Sequence, residues 1–218
     1  MNKKLLVALS LLLILSTYNF KNDNLKNTLN IKDILVNNNK ILTKNEVETE
    51  LSFLLDKNLF TLNSLNIQNE LKKNSFIESF EIKKIYPATL KVKVFEKKPI
   101  AIIQDKKKKY LYSDNNELII YDGSKEFDNL PLVFGKKKDF EIFFKNLKKI
   151  DFPLNQIKTY YFFEAKRWDL ETKKGQIIKL PITNYSESLI NFLKLKNLHN
   201  FEKYKIFDYR IKNQVILK

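Results

Sequence analysis

Residues 86 to 101 read Tyr86-Pro87-Ala88-Thr89-Leu90-Lys91-Val92-Lys93-Val94-Phe95-Glu96-Lys97-Lys98-Pro99-Ile100-Ala101. Leu90, Val92 and Val94 alternate with Lys91 and Lys93, the period of two that puts one face of a strand in a core and the other in water. Pro87 fixes its φ and has no N–H for a ladder, so Tyr86 to Thr89 is a turn. The segment before it, Phe76 to Ile85, interleaves apolar and charged residues and predicts the partner strand. Pro99 closes the pair.

Working upstream, Ser64 opens a helix with Leu65, Ile67 and Leu71 apolar, ending near Asn74. Before it, Thr43 and Glu46 have the spacing of a capping box. Val47, Leu51, Leu54 and Leu55 then follow at i, i+4, i+7 and i+8, one helix face. Glu96 reads as a local cap at the end of its strand. Ile31 to Val36 is a short apolar strand closed by Asn37-Asn38-Asn39. The order is β-α-α-β-β. Further upstream, Lys3 and Lys4 precede an apolar run from Leu5 to Leu15, with Tyr18 and Phe20 where interfacial aromatics anchor. A cleavable signal peptide shares this layout but ends in small residues, and Ser16-Thr17-Tyr18 does not. Residues 1–20 therefore read as a signal anchor that sends the remainder across the membrane, and 21–30 as a polar spacer.

Downstream, Ile100 to Ile103, Lys109 to Ser113 and Glu117 to Tyr121 are strand-like, with Asp114-Asn115-Asn116 as a tight turn. Phe140, Phe143, Phe144, Leu147 and Ile150 lie on one helix face, stopped before Pro153. Ile157 to Glu164, Arg167 to Thr172 and Gln176 to Leu180 are strands. Ser186 to Leu198 is a helix with Leu189, Ile190, Leu193 and Leu198 inward. Ile206 to Tyr209 and Val215 to Leu217 finish as strands.

Composition excludes much chemistry. Within 218 residues there is no Cys and one His, and the three glycines stand apart at 123, 135 and 175. No thiol nucleophile, thiolate metal site or Gly-rich phosphate loop can be written. Glu164 and Asp169 read as solvated strand charges, His199 as a residue at a helix C-terminus, and Trp168 as core. No catalytic, metal or cofactor-binding residue is assigned, and no cofactor is expected. The net charge of +15 invites a nucleic-acid reading, but the lysines are scattered. A dispersed charge gives no groove to follow, so no nucleic-acid partner is expected. Of 40 basic residues, only Arg167 and Arg210 are arginines.

The residues quoted above resemble the bacterial FtsQ/DivIB cell-division family. Tyr86 to Ala101 is similar to its Pro-x-x-Leu, alternating strand and Glu-Arg/Lys-x-Pro-x-Ala run. Leu130-Pro131-Leu132-Val133-Phe134-Gly135, Arg167-Trp168-Asp169-Leu170 with Gly175 and Leu180-Pro181, and Phe207-Asp208-Tyr209-Arg210 resemble three further elements of it. Both arginines fall inside these elements. The resemblance implies an α+β chain with an anchor helix over 1–20 and a β-α-α-β-β POTRA domain over 31–98. A mostly antiparallel β domain with two helices would follow over 99–218. It also implies a single-pass inner-membrane protein with its bulk in the periplasm at the division septum, and no enzymatic activity. Its partners would be divisome proteins of the FtsB and FtsL type, with other septal proteins at the POTRA domain and the membrane at residues 5–20.

The mode this implies is strand addition at the C-terminal edge, where Gln214 to Lys218 has no later segment to cover its free N–H and C=O groups. The expected partner-binding residues are Tyr209, Arg210, Ile211, Lys212, Asn213, Gln214, Val215 and Ile216. Arg210 is the candidate anchor, because a guanidinium can hold a carboxylate with two parallel bonds. The alternative is that it pairs internally with Asp208 or Glu202. Two rival functions stand beside this one. A POTRA-containing outer-membrane assembly factor would continue into membrane strands with aromatic girdles, which the Lys-rich second half lacks. An exported hydrolase would need a deep pocket grouping Glu164, Asp169 or His199.

Overall fold

The computed structural model describes residues 3–17, 28–121, 123–196, 198 and 201–218. Helix α1, Lys3–Thr17, carries the apolar run, and its leucines are exposed along its length. At 1.5 Å per residue its 15 residues rise about 22 Å, short of a hydrocarbon core of about 30 Å. Among the described residues no helix is long and apolar enough to cross a membrane, so the anchor expected over 1–20 is not established. Tyr18, Phe20, His199 and most of the predicted spacer lie outside the described residues.

The chain divides into two compact units, residues 1–96 and 97–218. In the first, β1 (Asp33–Asn37), β2 (Ile77–Ile85) and β3 (Thr89–Glu96) form a sheet in the order β1-β3-β2. β3 runs parallel to β1 and antiparallel to β2. Leu90, Val92 and Val94 are fully buried, as the alternation requires. They meet Val47 of α2 (Lys44–Glu50), Leu51 just past its end, and Ile67 and Leu71 of α3 (Ser64–Leu71).

The capping box is complete. Glu46 N–H donates to Thr43 Oγ1 at 3.2 Å, and Thr43 N–H donates to the Glu46 carboxylate at 2.7 Å. The long helix face expected here is cut short. After Leu51 the chain tightens into a 3₁₀ turn, Ser52–Leu54, so Leu54 remains buried while Leu55 swings out to 43% exposure. Leu65 is likewise exposed. Glu96 caps a loop, its carboxylate accepting the backbone N–H groups of Lys40, Ile41 and Leu42 at 2.8–2.9 Å.

The second unit is built on one nine-stranded sheet, entered by β4 (Pro99–Asp105), β5 (Lys108–Ser113) and β6 (Leu118–Ile120). β7 (Leu132–Phe134), β8 (Ile157–Phe162), β9 (Trp168–Thr172) and β10 (Ile177–Lys179) continue it. β11 (Ile206–Asp208) and β12 (Ile216–Leu217) complete the order β12-β11-β10-β9-β8-β7-β4-β5-β6. β4/β7, β7/β8 and β10/β11 are parallel and the other five pairs antiparallel. Three-residue β7 shows no periodicity in sequence, yet it is an interior strand that joins β4 to β8.

Helix α4 (Lys137–Lys149) buries Phe140, Phe143, Phe144 and Leu147 as its spacing predicts. Helix α5 (Tyr185–Lys196) buries Leu189 as expected and packs Leu193 on the core, but its other buried residue is Phe192, and Ile190 and Leu198 are exposed. Trp168 is a core residue stacked on Phe143, with ring centroids 4.7 Å apart. Gly135 makes room for it, since a Cβ there would lie 3.0 Å from Phe162 Cβ and 3.2 Å from the indole.

Candidate functional site

β12 ends the sheet, with β11 its only partner among the described residues. Phe207 pairs with Leu217 and Asp208 with Ile216. Lys218 and Ile206 exchange both their backbone bonds, at 3.0 and 3.1 Å. Antiparallel pairs alternate, so the N–H and C=O of Leu217, and two residues back those of Val215, turn away from β11. Side chains alternate too: Val215 and Leu217 pack on the core and Ile216 faces out at 38% exposure.

The expected strand over Gln214 to Lys218 is shorter than its sequence implied. Gln214 N–H folds back to Ile211 O at 3.3 Å and Asn213 has φ 60°, so residues 211–214 form a turn and β12 keeps Ile216–Leu217. Ile211, Lys212, Asn213 and Gln214 are exposed on that turn. Tyr209 is buried. Its N–H donates to Lys179 O at 2.9 Å and its hydroxyl to Asn191 Oδ1 at 3.1 Å, tying the β11 end to β10 and α5. Burial pushes its phenol pKa up.

Arg210 is paired internally with Asp208. Its Nε and Nη2 donate to the two carboxylate oxygens at 2.8 and 2.5 Å, and its backbone N–H to Oδ1 at 3.1 Å. The guanidinium bonds hold the Asp208 carboxyl below its ordinary range. The free anchor expected at Arg210 is therefore an ion pair with an exposed guanidinium edge.

Seven of the eight expected residues, Tyr209 to Val215, line one side of an open groove of about 800 Å³. Its other wall is Leu180 to Asn184 and the first turns of α5, and Arg167 completes it. Thus both arginines of this lysine-based chain border one groove. Arg167 lies over the Phe163 ring at 4.5 Å and 3.7 Å from Asp169 Oδ1. Arg167 Nε and Asp169 Oδ1 are buried and neither has a hydrogen-bond partner. Asp169 is 6% exposed, which corrects its reading as a solvated charge. Burial raises its pKa against the opposing pull of Arg167, Lys179 and Arg210.

Sequence reasoning missed the groove wall formed by α5 and residues 180–184. The rarity of arginine was the signal that could have found Arg167. Glu164 is exposed on the β8–β9 turn while Asp169 is buried on β9. Among the described residues no group of three or more His, Asp or Glu is placed to hold a metal ion.

Two family models match: the POTRA domain of FtsQ type over residues 29–97, and the C-terminal region of cell division protein FtsQ/DivIB over residues 101–210. The chain is similar to the cell division protein FtsQ of Rickettsia bellii, 30% identical over 167 residues, covering 73% of this chain and 61% of that one. FtsQ of Bradyrhizobium diazoefficiens is 26% identical, covering 76% and 49%. The chain thus spans about three-fifths or less of these relatives' length. The major extracytoplasmic domain of DivIB from Geobacillus stearothermophilus is 14% identical at a TM-score of 0.34, covering 45% of this chain and 89% of that domain. With the two matched regions running in order along both units, the chain belongs to the FtsQ/DivIB family of cell division proteins.

Proposed function

We propose that this chain is a non-enzymatic divisome scaffold, held at the inner membrane by residues 5–20 with its bulk in the periplasm at the septum. In this reading residues 31–98 act as the POTRA domain and 99–218 as the partner-holding β domain. It captures partners of the FtsB and FtsL type by adding a strand to β12, and other septal proteins dock on the POTRA unit. The observation that carries this reading is the open edge of β12 beside a groove bordered by both arginines.

An incoming strand takes its main-chain bonds from Val215 and Leu217. These four bonds, at a net of about 1 kcal/mol each, give modest affinity, so side-chain anchors are needed. Arg167 supplies one, since its guanidinium borders the groove and a partner carboxylate fits its planar fork. Arg210 contributes its exposed edge while remaining paired with Asp208.

Co-purification of a divisome partner from membranes with tagged full-length chain tests the reading. Arg167→Glu and Arg210→Glu are each expected to abolish capture, with a lower melting temperature because each also removes the arginine from its aspartate. Asp208→Asn, which loses the same ion pair as Arg210→Glu but keeps the Arg210 guanidinium, is expected to retain capture. Normal capture by the double variant would reject the groove as the partner site.

A further inference from the structure

We propose that the end of the first unit at which the chain enters is a bilayer-contacting face, with Phe60 and Tyr86 seated among lipid headgroups and acyl chains. This rests on the reading of residues 5–20 as a membrane anchor. The chain enters the unit strapped to this end: Leu59 N–H donates to Leu29 O at 2.8 Å, Ile31 N–H to Lys57 O at 2.9 Å and Lys32 N–H to Ala88 O at 2.8 Å. The Lys84 ammonium closes the other side on Phe60 O at 3.1 Å. Segments 55–60 and 84–88 therefore surround the entry point.

These segments expose large apolar groups. Phe60 is 70% exposed beside fully buried Leu59, Tyr86 is 54% exposed, and Phe53 and Leu55 follow at 37% and 43%. Contiguous exposed apolar surface with a polar rim marks an interaction site. Aromatics beside lysines, with Lys57 lying 5.0 Å over the Phe53 ring, are the composition of a membrane interface.

The connection favours a bilayer over a second protein. Residues 18–27 alone separate Thr17 of α1 from Thr28, so the entry point lies within about 40 Å of the apolar helix. A tether this short holds the face near the surface at roughly millimolar effective concentration, so a weak apolar contact is sufficient. Asp33 and Asp56 also lie at this end, so apolar burial rather than net charge drives the contact. The opposite end, where Glu96 caps Lys40 to Leu42, is about 25 Å away along the eight residues of β3.

The chain has no cysteine, so single cysteines label cleanly. Full-length chain carrying Thr61→Cys or Lys40→Cys is labelled with an environment-sensitive fluorophore. It is then bound to phosphatidylcholine–phosphatidylglycerol vesicles containing brominated lipid. Strong bromolipid quenching is expected at 61 and none at 40, and adding Phe60→Ser with Tyr86→Ser should lower the quenching at 61 severalfold. Vesicles that float with bound chain but leave 61 as unquenched as 40 would overturn the lipid contact while the anchor reading survives. Shielding at 61 from aqueous quencher without bromolipid quenching would assign the face to a protein and likewise overturn it. Failure of the chain to float would remove the anchor reading, and the proposal with it.

Discussion

Asp208 and Asp169 sit one register position on each side of Lys179 and their carboxyl groups are driven in opposite directions. Arg210 bonds lower the pKa of Asp208, whereas burial raises that of Asp169. A folded pKa below the unfolded one gives stability that is present above the unfolded value of 3.8 and is lost as pH falls through the folded one. Asp208→Asn should therefore melt below wild type at neutral pH, with the difference shrinking as the solution is acidified below pH 3.8. A difference that stays constant with pH would dismiss the ion pair as its source. Asp169 has the opposite sign: its raised value makes ionisation destabilising, and that burden is relieved on acidification. Gly135 is a second residue with a single physical reason. Its Cβ space is filled by Phe162 and Trp168, so Gly135→Ala should cost about 1–3 kcal/mol in chemical denaturation, the usual penalty of overpacking a core. An unchanged midpoint would mean that the indole can give way.

At the scale of elements, β12 is two residues long and its value lies in which groups face outward. The N–H of Val215 faces away from β11, whereas that of Ile216 belongs to the inward pair with Asp208. Val215→Pro should leave the melting temperature near wild type and reduce partner capture strongly, because proline removes one outward donor. Ile216→Pro should lower the melting temperature as well, since it breaks the chain's own pairing. Equal melting losses in both would reverse the assigned alternation. Strands and helices with strong periodicity, such as β3 and α4, were legible because their buried positions recur at a period of two or 3.6. The short β7 was not, and neither was the break after Leu51. A three-residue strand carries no period, and a switch from α to 3₁₀ depends on what packs against the turn.

At the scale of the whole molecule, the charge of +15 is spread over the surface as lysine. Self-repulsion of this kind weakens as ions screen it, and the Debye length falls to about 8 Å at 0.15 M ionic strength. Raising salt from a few millimolar to that level should raise the melting temperature, and a fall would show that ion pairs such as Lys97–Glu117, at 2.6 Å, outweigh the repulsion.

Local order along the chain was set by the residues themselves. The capping box, the alternation of Leu90 to Val94 and the aromatic face of α4 depend on neighbours within one or two turns. The exclusions that follow from one histidine and no cysteine rest on composition alone. Tertiary structure alone decided that Arg167 and Arg210, 43 positions apart, border one groove and that Asp169 is buried. Those facts depend on strand order and the docking of α5, which arise from contacts distant in sequence and leave no local period to read.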